Sequence, residues 1–316
     1  MPVRAVGHDD RESLSVAAVV VSFNRRDLLR KCLVALQSQN RRPDEIILID
    51  NGSTDGSPDM VRNEFPDVSV FEPGENLGGA GGFAWGLELA IARNHDSAWL
   101  MDDDAEPFTD SLGSLVEAME TAPVRPGFVS ALVVNDKGLP NEGHLPVIST
   151  SSADQLVARE VGGLAVESAS FVGVLIDLQA ASNMPLPYAD FFIWFDDAEY
   201  TRRLSAGSFG MVIPSSRILH PEKANQVDMG ARLFYYVRNF LWMSRLDPRP
   251  RTLLSNPVVD FLGLFKLTLI QGVRAGDKRL WASSAMRAFA EGIFRTPRKV
   301  MPGDLLRSRA HNLSDL

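Results

Sequence analysis

Three consecutive aspartates, Asp102, Asp103 and Asp104, close an apolar run over residues 97–101 (Ser-Ala-Trp-Leu-Met). Carboxylates this crowded repel one another, and one pKa rises unless a cation or hydrogen-bond donors sit among them. A divalent ion answers that problem, and hard oxygen ligands suit Mg²⁺ or Mn²⁺. A solvated acidic turn leading into a helix near Thr109 is the alternative. A second acidic group, Asp196-Asp197-Ala198-Glu199, follows the aromatic run 191–195 (Phe-Phe-Ile-Trp-Phe). A carboxylate among aromatic side chains is partly desolvated and is a stronger proton acceptor, which is the chemistry of a general base. Acid at a helix start also complements the helix dipole without any catalysis. His220, one of five histidines, precedes Pro221 and becomes a metal ligand only if the chain brings it beside Asp104.

Two further segments offer ligand contacts. Asp50-Asn51-Gly52-Ser53-Thr54-Asp55 has the composition of a strand-to-helix turn with a cap. Asp50 there can also accept a hydrogen bond from a uracil N–H or a ribose hydroxyl, although the segment alone favours the simple turn. Asn76-Leu77-Gly78-Gly79-Ala80-Gly81-Gly82-Phe83 puts four glycines in five positions ahead of a helix, an arrangement that suits a phosphate. Gly79-x-Gly81-x-x-Ala84 also fits the dinucleotide fingerprint, with Asp102 downstream where an acidic ribose ligand belongs. A nicotinamide-dependent oxidoreductase is therefore a rival reading. Residues 72–75 separate the glycines from their strand, however, and a dinucleotide enzyme has no use for three adjacent carboxylates. A glycine hinge without ligand is the third option.

These side chains need elements to hold them. Residues 16–23 form a continuous apolar run rich in β-branched side chains, the pattern of a parallel strand buried on both faces. Residues 27–39 have helical spacing, with Leu28, Leu29, Cys32, Leu33 and Leu36 on one side. Strands at 45–49, 68–71 and 97–101 alternate with helices at 56–63 and 82–93. That alternation predicts an α/β fold with a doubly wound, mostly parallel sheet, whose carboxyl edge is where ligands bind. After a strand at 128–134, residues 135–168 read as loop with at most a hairpin. Strand character returns at 170–178, and short strands at 209–213 and 217–219 lead to His220. Beyond 230 the chain reads as helical, at 233–244, 258–273 and 278–294. The predicted organisation is a tail (1–15), an α/β domain (16–230) and a C-terminal helical extension (231–316).

Composition narrows the class. With 45% apolar and 23% charged residues the chain belongs with globular proteins, not disordered ones. The single cysteine, Cys32, excludes a disulfide framework and points to a reducing compartment. Residues 1–15 lack the apolar core of a signal peptide, and no run approaches the ~18 apolar residues of a membrane span. The net charge of −8 is uneven: from Arg245 onward 13 Lys+Arg face 6 Asp+Glu, giving +7 against −15 elsewhere. A basic, apolar-rich tail suits an anionic membrane surface, and a helical subdomain with basic exposed faces accounts for the same numbers.

Taken in order, Val20-Val21-Ser22-Phe23-Asn24-Arg25, residues 49–55, the aspartate triplet and the later acid pair resemble a family 2 glycosyltransferase with the GT-A fold. The resemblance covers residues 16–238. Within that family, residues 76–83 and 194–199, Leu219-His220-Pro221 and Tyr236-Val237-Arg238-Asn239 look most like actinobacterial galactofuranosyltransferases of cell-wall galactan synthesis. Rhamnosyltransferases share part of the pattern. The resemblance implies an inverting, metal-dependent enzyme that moves galactofuranose from UDP-galactofuranose to a polyprenyl-linked glycan. It implies that Asp50 contacts uracil with help from Phe23, Asn24 and Asn76, and that Gly79 and Gly81 face the diphosphate. Asp102 would hold ribose, Asp103 would lie in the nucleotide-sugar site without a defined role, and Asp104 and His220 would hold Mn²⁺ or Mg²⁺. Asp197 would be the base with Asp196 beside it, and Trp194 and Phe195 a platform for sugar. Close relatives carry an aromatic immediately before the acid pair; Phe195 fills that place here, with Trp194 one residue earlier. A non-enzymatic nucleotide-sugar scaffold would not need Asp104, Asp197 and His220 together. The expected partners are a UDP-sugar and a lipid-linked or oligosaccharide acceptor, not nucleic acid. A cytoplasmic location is expected, with peripheral docking at the inner face of the plasma membrane and homo-oligomerisation through the C-terminal helices as further options.

Overall fold

The β-branched run that opens the sheet forms β1 (Val16–Ser22), buried along its whole length. A computed structural model describes residues 13–222, 228–247 and 257–314, so most of the expected N-terminal tail lies outside the described residues. The chain then alternates through α1 (Arg26–Gln37), β2 (Glu45–Asp50), α2 (Ser57–Glu64), β3 (Val68–Phe71), α3 (Gly78–Ala92) and β4 (Ser97–Asp102). Next come β5 (Glu106–Pro107), α4 (Ser111–Thr121), β6 (Phe128–Val134), β7 (Val147–Ile148), α5 (Ser152–Glu160) and β8 (Leu164–Ser168). β9 (Val174–Asp177), α6 (Leu178–Ala181), α7 (Asp196–Gly207) and β10 (Gly210–Leu219) follow. The C-terminal helices are α8 (Leu233–Leu246), α9 (Pro257–Arg274), α10 (Lys278–Phe294) and α11 (Asp304–Ser314).

One sheet carries the strand order β3-β2-β1-β4-β9-β6-β10-β8-β7, with β5 added beside β10. β3, β2, β1 and β4 are mutually parallel, as the alternation requires. β9 runs antiparallel between β4 and β6, so that β6 and its parallel neighbour β10 again point the same way as β1. Asp50, Asp102 and His220 consequently all emerge at one carboxyl edge. α1, α2 and α4 cover one face, where Leu29, Leu33, Leu112 and Leu115 share a core with Val16, Ala18 and Val20 of β1. α3 and α7 cover the other, where Phe83, Leu87, Tyr200 and Leu204 pack with Val19, Val21 and Ile49. Successive residues of β1 thus point to opposite faces, and both faces are apolar.

Four sequence expectations change. The glycine segment is not a loop: α3 starts at Gly78. Gly82 and Gly86 let α3 sit directly on β1, since a Cβ would come 2.5 Å from Val21 Cγ1 and 2.1 Å from Val19 Cγ1. Gly78 combines φ +68° with a Cβ position 2.1 Å from the Phe192 carbonyl oxygen, so only glycine fits there. Second, residues 135–168 are ordered as β7, α5 and β8, and β7 and β8 pair antiparallel across the intervening helix instead of in a tight hairpin. Third, the two strands expected at 209–213 and 217–219 are one, β10, with a register shift between Ile213 and Arg217. Fourth, α11 has no counterpart in the sequence reading. Its N-terminus is held by the buried Glu88 of α3, which accepts from Gly303 N (2.7 Å) and Leu306 N (3.1 Å).

Candidate active site

β5 explains how Asp104 meets His220. Directly after the triplet, the chain pairs antiparallel with the end of β10, placing Pro107 opposite Ile218 and Glu106 opposite Leu219. His220 Nε2 thereby lies 2.9 Å from Asp104 Oδ1, with both side chains buried. The imidazole Nδ1 faces the Pro221 carbonyl at 3.1 Å, so Nδ1 carries a proton and Nε2 is the nitrogen turned toward Asp104. The approach of Nε2 to Asp104 lacks hydrogen-bond geometry, and Nε2 has no hydrogen-bond donor facing it among the described residues. Asn141 donates to the His220 carbonyl (3.1 Å), and the His144 ring lies 4.5 Å from the His220 ring. Asp102, Asp104 and His220 offer ligand atoms within 4.8 Å of one another. Two carboxylates and an imidazole with Nε2 turned inward fit a divalent ion, and the nitrogen ligand suits Mn²⁺ better than Mg²⁺.

Cationic charge also comes from the chain. Arg25 Nη1 donates to Asp104 Oδ2 (2.6 Å) and Asp103 Oδ1 (3.2 Å). Burial pulls the Arg25 guanidinium down, but the charges of Asp103, Asp104 and Asp102 outweigh it and leave its pKa raised. Asp103 accepts from Ser22 Oγ (2.9 Å) and Phe23 N (3.3 Å), tying the end of β1 to the end of β4. Its pKa is raised by burial in spite of Arg25. Ser22 and Arg25 stand in the sequence only as members of the motif at 20–25, and Asn141 and His144 carry no signal of their own; each enters the site through contacts far along the chain.

At the neighbouring strand end, Asp50 is fully buried. Its Oδ1 accepts from Gly52 N (3.0 Å) and Ser53 N (2.7 Å), while Oδ2 has no hydrogen-bond partner among the described residues. Asn24, at φ 53°, accepts from Thr54 N (2.7 Å) and joins the two edge loops. Asp55 caps both helices here, accepting from Arg26 N (2.9 Å) and Ser57 N (3.0 Å). Phe23 is exposed at the rim. Asn76 is exposed and accepts from Gly78 N (2.8 Å) at the start of α3. Gly81 is closed off by Leu77, whereas the nearest atom to a Cβ at Gly79 is 3.9 Å away.

The acid pair opens α7 after an unusual turn. Phe192, Trp194 and Phe195 all have positive φ, at 64°, 65° and 69°. Each such conformation in a bulky residue costs of order 1–3 kcal/mol and persists only when its surroundings impose it. Asp196 is buried, and its carboxyl is pushed well up by burial, then by the charges of Asp197 and, across the site, Asp102. Burial also raises Asp197, opposed by backbone N–H groups including those of Ala198 and Phe171 and by Arg202. The Ala198 N–H donates to Asp197 Oδ1 at 2.7 Å. Trp194 is 39% exposed beside Tyr236, while Phe195 packs on Tyr236 and Phe240, so the free aromatic face is that of Trp194.

The chain is similar to known transferases. Residues 17–160 match the model for glycosyl transferase family 2. It is 33% identical over 223 residues to galactofuranosyltransferase GlfT1 of Mycolicibacterium smegmatis, covering 65% of this chain and 70% of that one. It is 29% identical over 297 residues to galactofuranosyltransferase GlfT1 of Mycobacterium tuberculosis, covering 84% and 92%. Among solved structures, a mannosyltransferase from Pyrobaculum calidifontis in complex with GDP-Man and Mn²⁺ superposes with a TM-score of 0.53 at 17% identity, covering 98% of this chain and 83% of that one. The fold is GT-A-like, and the chain belongs to glycosyl transferase family 2: it is a glycosyltransferase.

Proposed function

We propose that this protein transfers galactofuranose from UDP-galactofuranose to a polyprenyl-linked glycan, with inversion at the anomeric carbon. The observation that carries the reading is a single sheet edge holding the Asp104–His220 pair on one side and, within electrostatic reach of Asp102, the buried Asp196 with Asp197 beside it on the other. Asp50 Oδ2 would accept from uracil, Asp102 would hold ribose, and Phe23, Asn24 and Asn76 would frame the nucleotide. Of the two glycines assigned to the diphosphate, Gly79 has the open surroundings that role needs. Asp104 and His220 would hold Mn²⁺, which supplies stabilisation of the charge developing on the leaving diphosphate.

The acceptor hydroxyl attacks the anomeric carbon from the face opposite UDP. Asp197 takes its proton, the new C–O bond forms, and the bond to the diphosphate oxygen breaks with its electron pair leaving on UDP. Asp196 holds a proton and orients donor or acceptor, and Trp194 receives a sugar face. The oxidoreductase alternative falls because the chain belongs to glycosyl transferase family 2, and because Gly81, a glycine of the dinucleotide fingerprint, is closed off by Leu77. A screen of UDP- and dTDP-sugars with Mn²⁺ tests the donor. Preferential turnover of UDP-galactofuranose is expected; preferential turnover of dTDP-rhamnose would replace it with rhamnosyl transfer.

The acceptor reading includes a docking surface for an anionic membrane. α9 exposes Leu262, Phe265, Leu269 and Val273 along one side, and Lys266, Arg274, Lys278 and Arg279 are exposed beside or just beyond them. Apolar contact flanked by cations is the chemistry of interfacial helices. Among the described residues no helix is long and apolar enough to cross a membrane.

A further inference from the structure

Asn239 of α8 is fully buried, and its amide reaches the turn that precedes the acid pair. Nδ2 donates to the carbonyl oxygens of Phe191 (2.8 Å), Ile193 (2.8 Å) and Trp194 (3.2 Å). Arg238 Nε donates to Asn239 Oδ1 (3.0 Å), which fixes the amide with its nitrogen toward the turn. Arg238 also donates from Nη2 to the Asp190 carbonyl. The turn itself contains a tight three-residue bend at Phe192 (φ 64°, ψ −60°), closed by Ile193 N donating to Phe191 O at 2.7 Å. That bend is a rare and strained form. From the opposite side Ala80 N donates to Phe192 O (3.2 Å), where Gly78 leaves no room for a Cβ. Three aromatic residues of positive φ are therefore gripped between α3 and α8, and the next two residues are Asp196 and Asp197.

We infer that Asn239 is a positioning residue: by holding the strained 191–195 turn, it sets where the acid pair stands at the start of α7. This rests on the reading of Asp196 and Asp197 as the acid pair of a transferase. Small displacements of a catalytic group are costly in rate, and the nucleotide contacts proposed at the strand ends of β1, β2 and β4 lie outside this turn. The test is Asn239→Asp, which keeps the shape and removes both donors, with Asn239→Ser as a second variant retaining one donor. For Asn239→Asp, kcat is expected to fall about 100-fold or more, with donor KM and UDP–Mn²⁺ affinity within about twofold of the parent; Asn239→Ser should fall between. Hydrogen exchange of the unliganded protein should rise at residues 191–198 and stay unchanged in β1 and β2. Unchanged exchange at 191–198, or kcat within about threefold of the parent, overturns the inference, as does a joint loss of UDP affinity and thermal stability. If the parent protein transfers no sugar, the proposed function fails, and the exchange measurement alone decides whether Asn239 holds the turn.

Discussion

Asp196, buried, and Asp197, half-buried, are adjacent carboxylates in different surroundings. Burial raises both and backbone N–H groups oppose it at both, but Asp197 also has the field of Arg202, whereas Asp196 faces the charges of Asp197 and Asp102. Asp196, whose carboxyl is pushed up further, is the proposed proton holder, and Asp197 the proposed base. Asp197→Asn is expected to lower transfer by at least ~10²-fold with UDP affinity nearly intact, measured by turnover and titration calorimetry. Because the base must be ionised, activity should fall as pH falls through its raised pKa. Asp196→Asn imitates the protonated acid, so it should keep that acidic limb and lose less than about tenfold in rate. Abolished transfer in Asp196→Asn with retained transfer in Asp197→Asn would exchange the two roles. Asp50, the triplet, the acid pair and His220 are legible in the sequence because their types and strand-end positions announce chemistry. The partners of Asp103 are not, because Ser22 and Arg25 reach it from about 80 positions away.

Among the elements, hydrophobic runs and their alternation suffice for β1 through β4, since a strand buried on both faces has a local signature. The glycine segment reads as a loop for a physical reason. A phosphate cradle and a helix seated tightly on a strand both need glycine, and Gly78, Gly82 and Gly86 recur every four residues along α3. Gly86→Ala is therefore expected to destabilise the fold by about 1–3 kcal/mol through overpacking against Val19, seen as a lowered Tm. Gly79→Ala should leave Tm nearly unchanged and weaken UDP binding. A normal Tm for Gly86→Ala would count against the packing role. β5, α5 and α11 have no clear sequence signature because they are short or polar and are fixed by contacts made elsewhere in the fold.

Across the whole molecule, the C-terminal helices pack back on the α/β domain in two places. α8 supports the acid pair through Asn239, and α11 docks on α3 through Glu88. Arg309 of α11 also lies over the Phe71 ring, at 4.3 Å. The exposed stripe of α9 gives a further prediction. Replacing Leu262, Phe265 and Leu269 together by Ser should reduce binding to phosphatidylglycerol vesicles without altering turnover on a water-soluble acceptor. Unchanged vesicle binding, with a change in oligomeric state instead, would assign the stripe to self-association.

If the carboxyl edge is a metal-assisted UDP site, UDP affinity must depend on both the divalent ion and His220. Titration of UDP into the parent protein and into His220→Ala, with and without Mn²⁺, measures that dependence. Mn²⁺ is expected to strengthen UDP binding in the parent, and that gain should disappear in His220→Ala. UDP binding indifferent to both Mn²⁺ and the substitution would rule out a metal-assisted site at this edge.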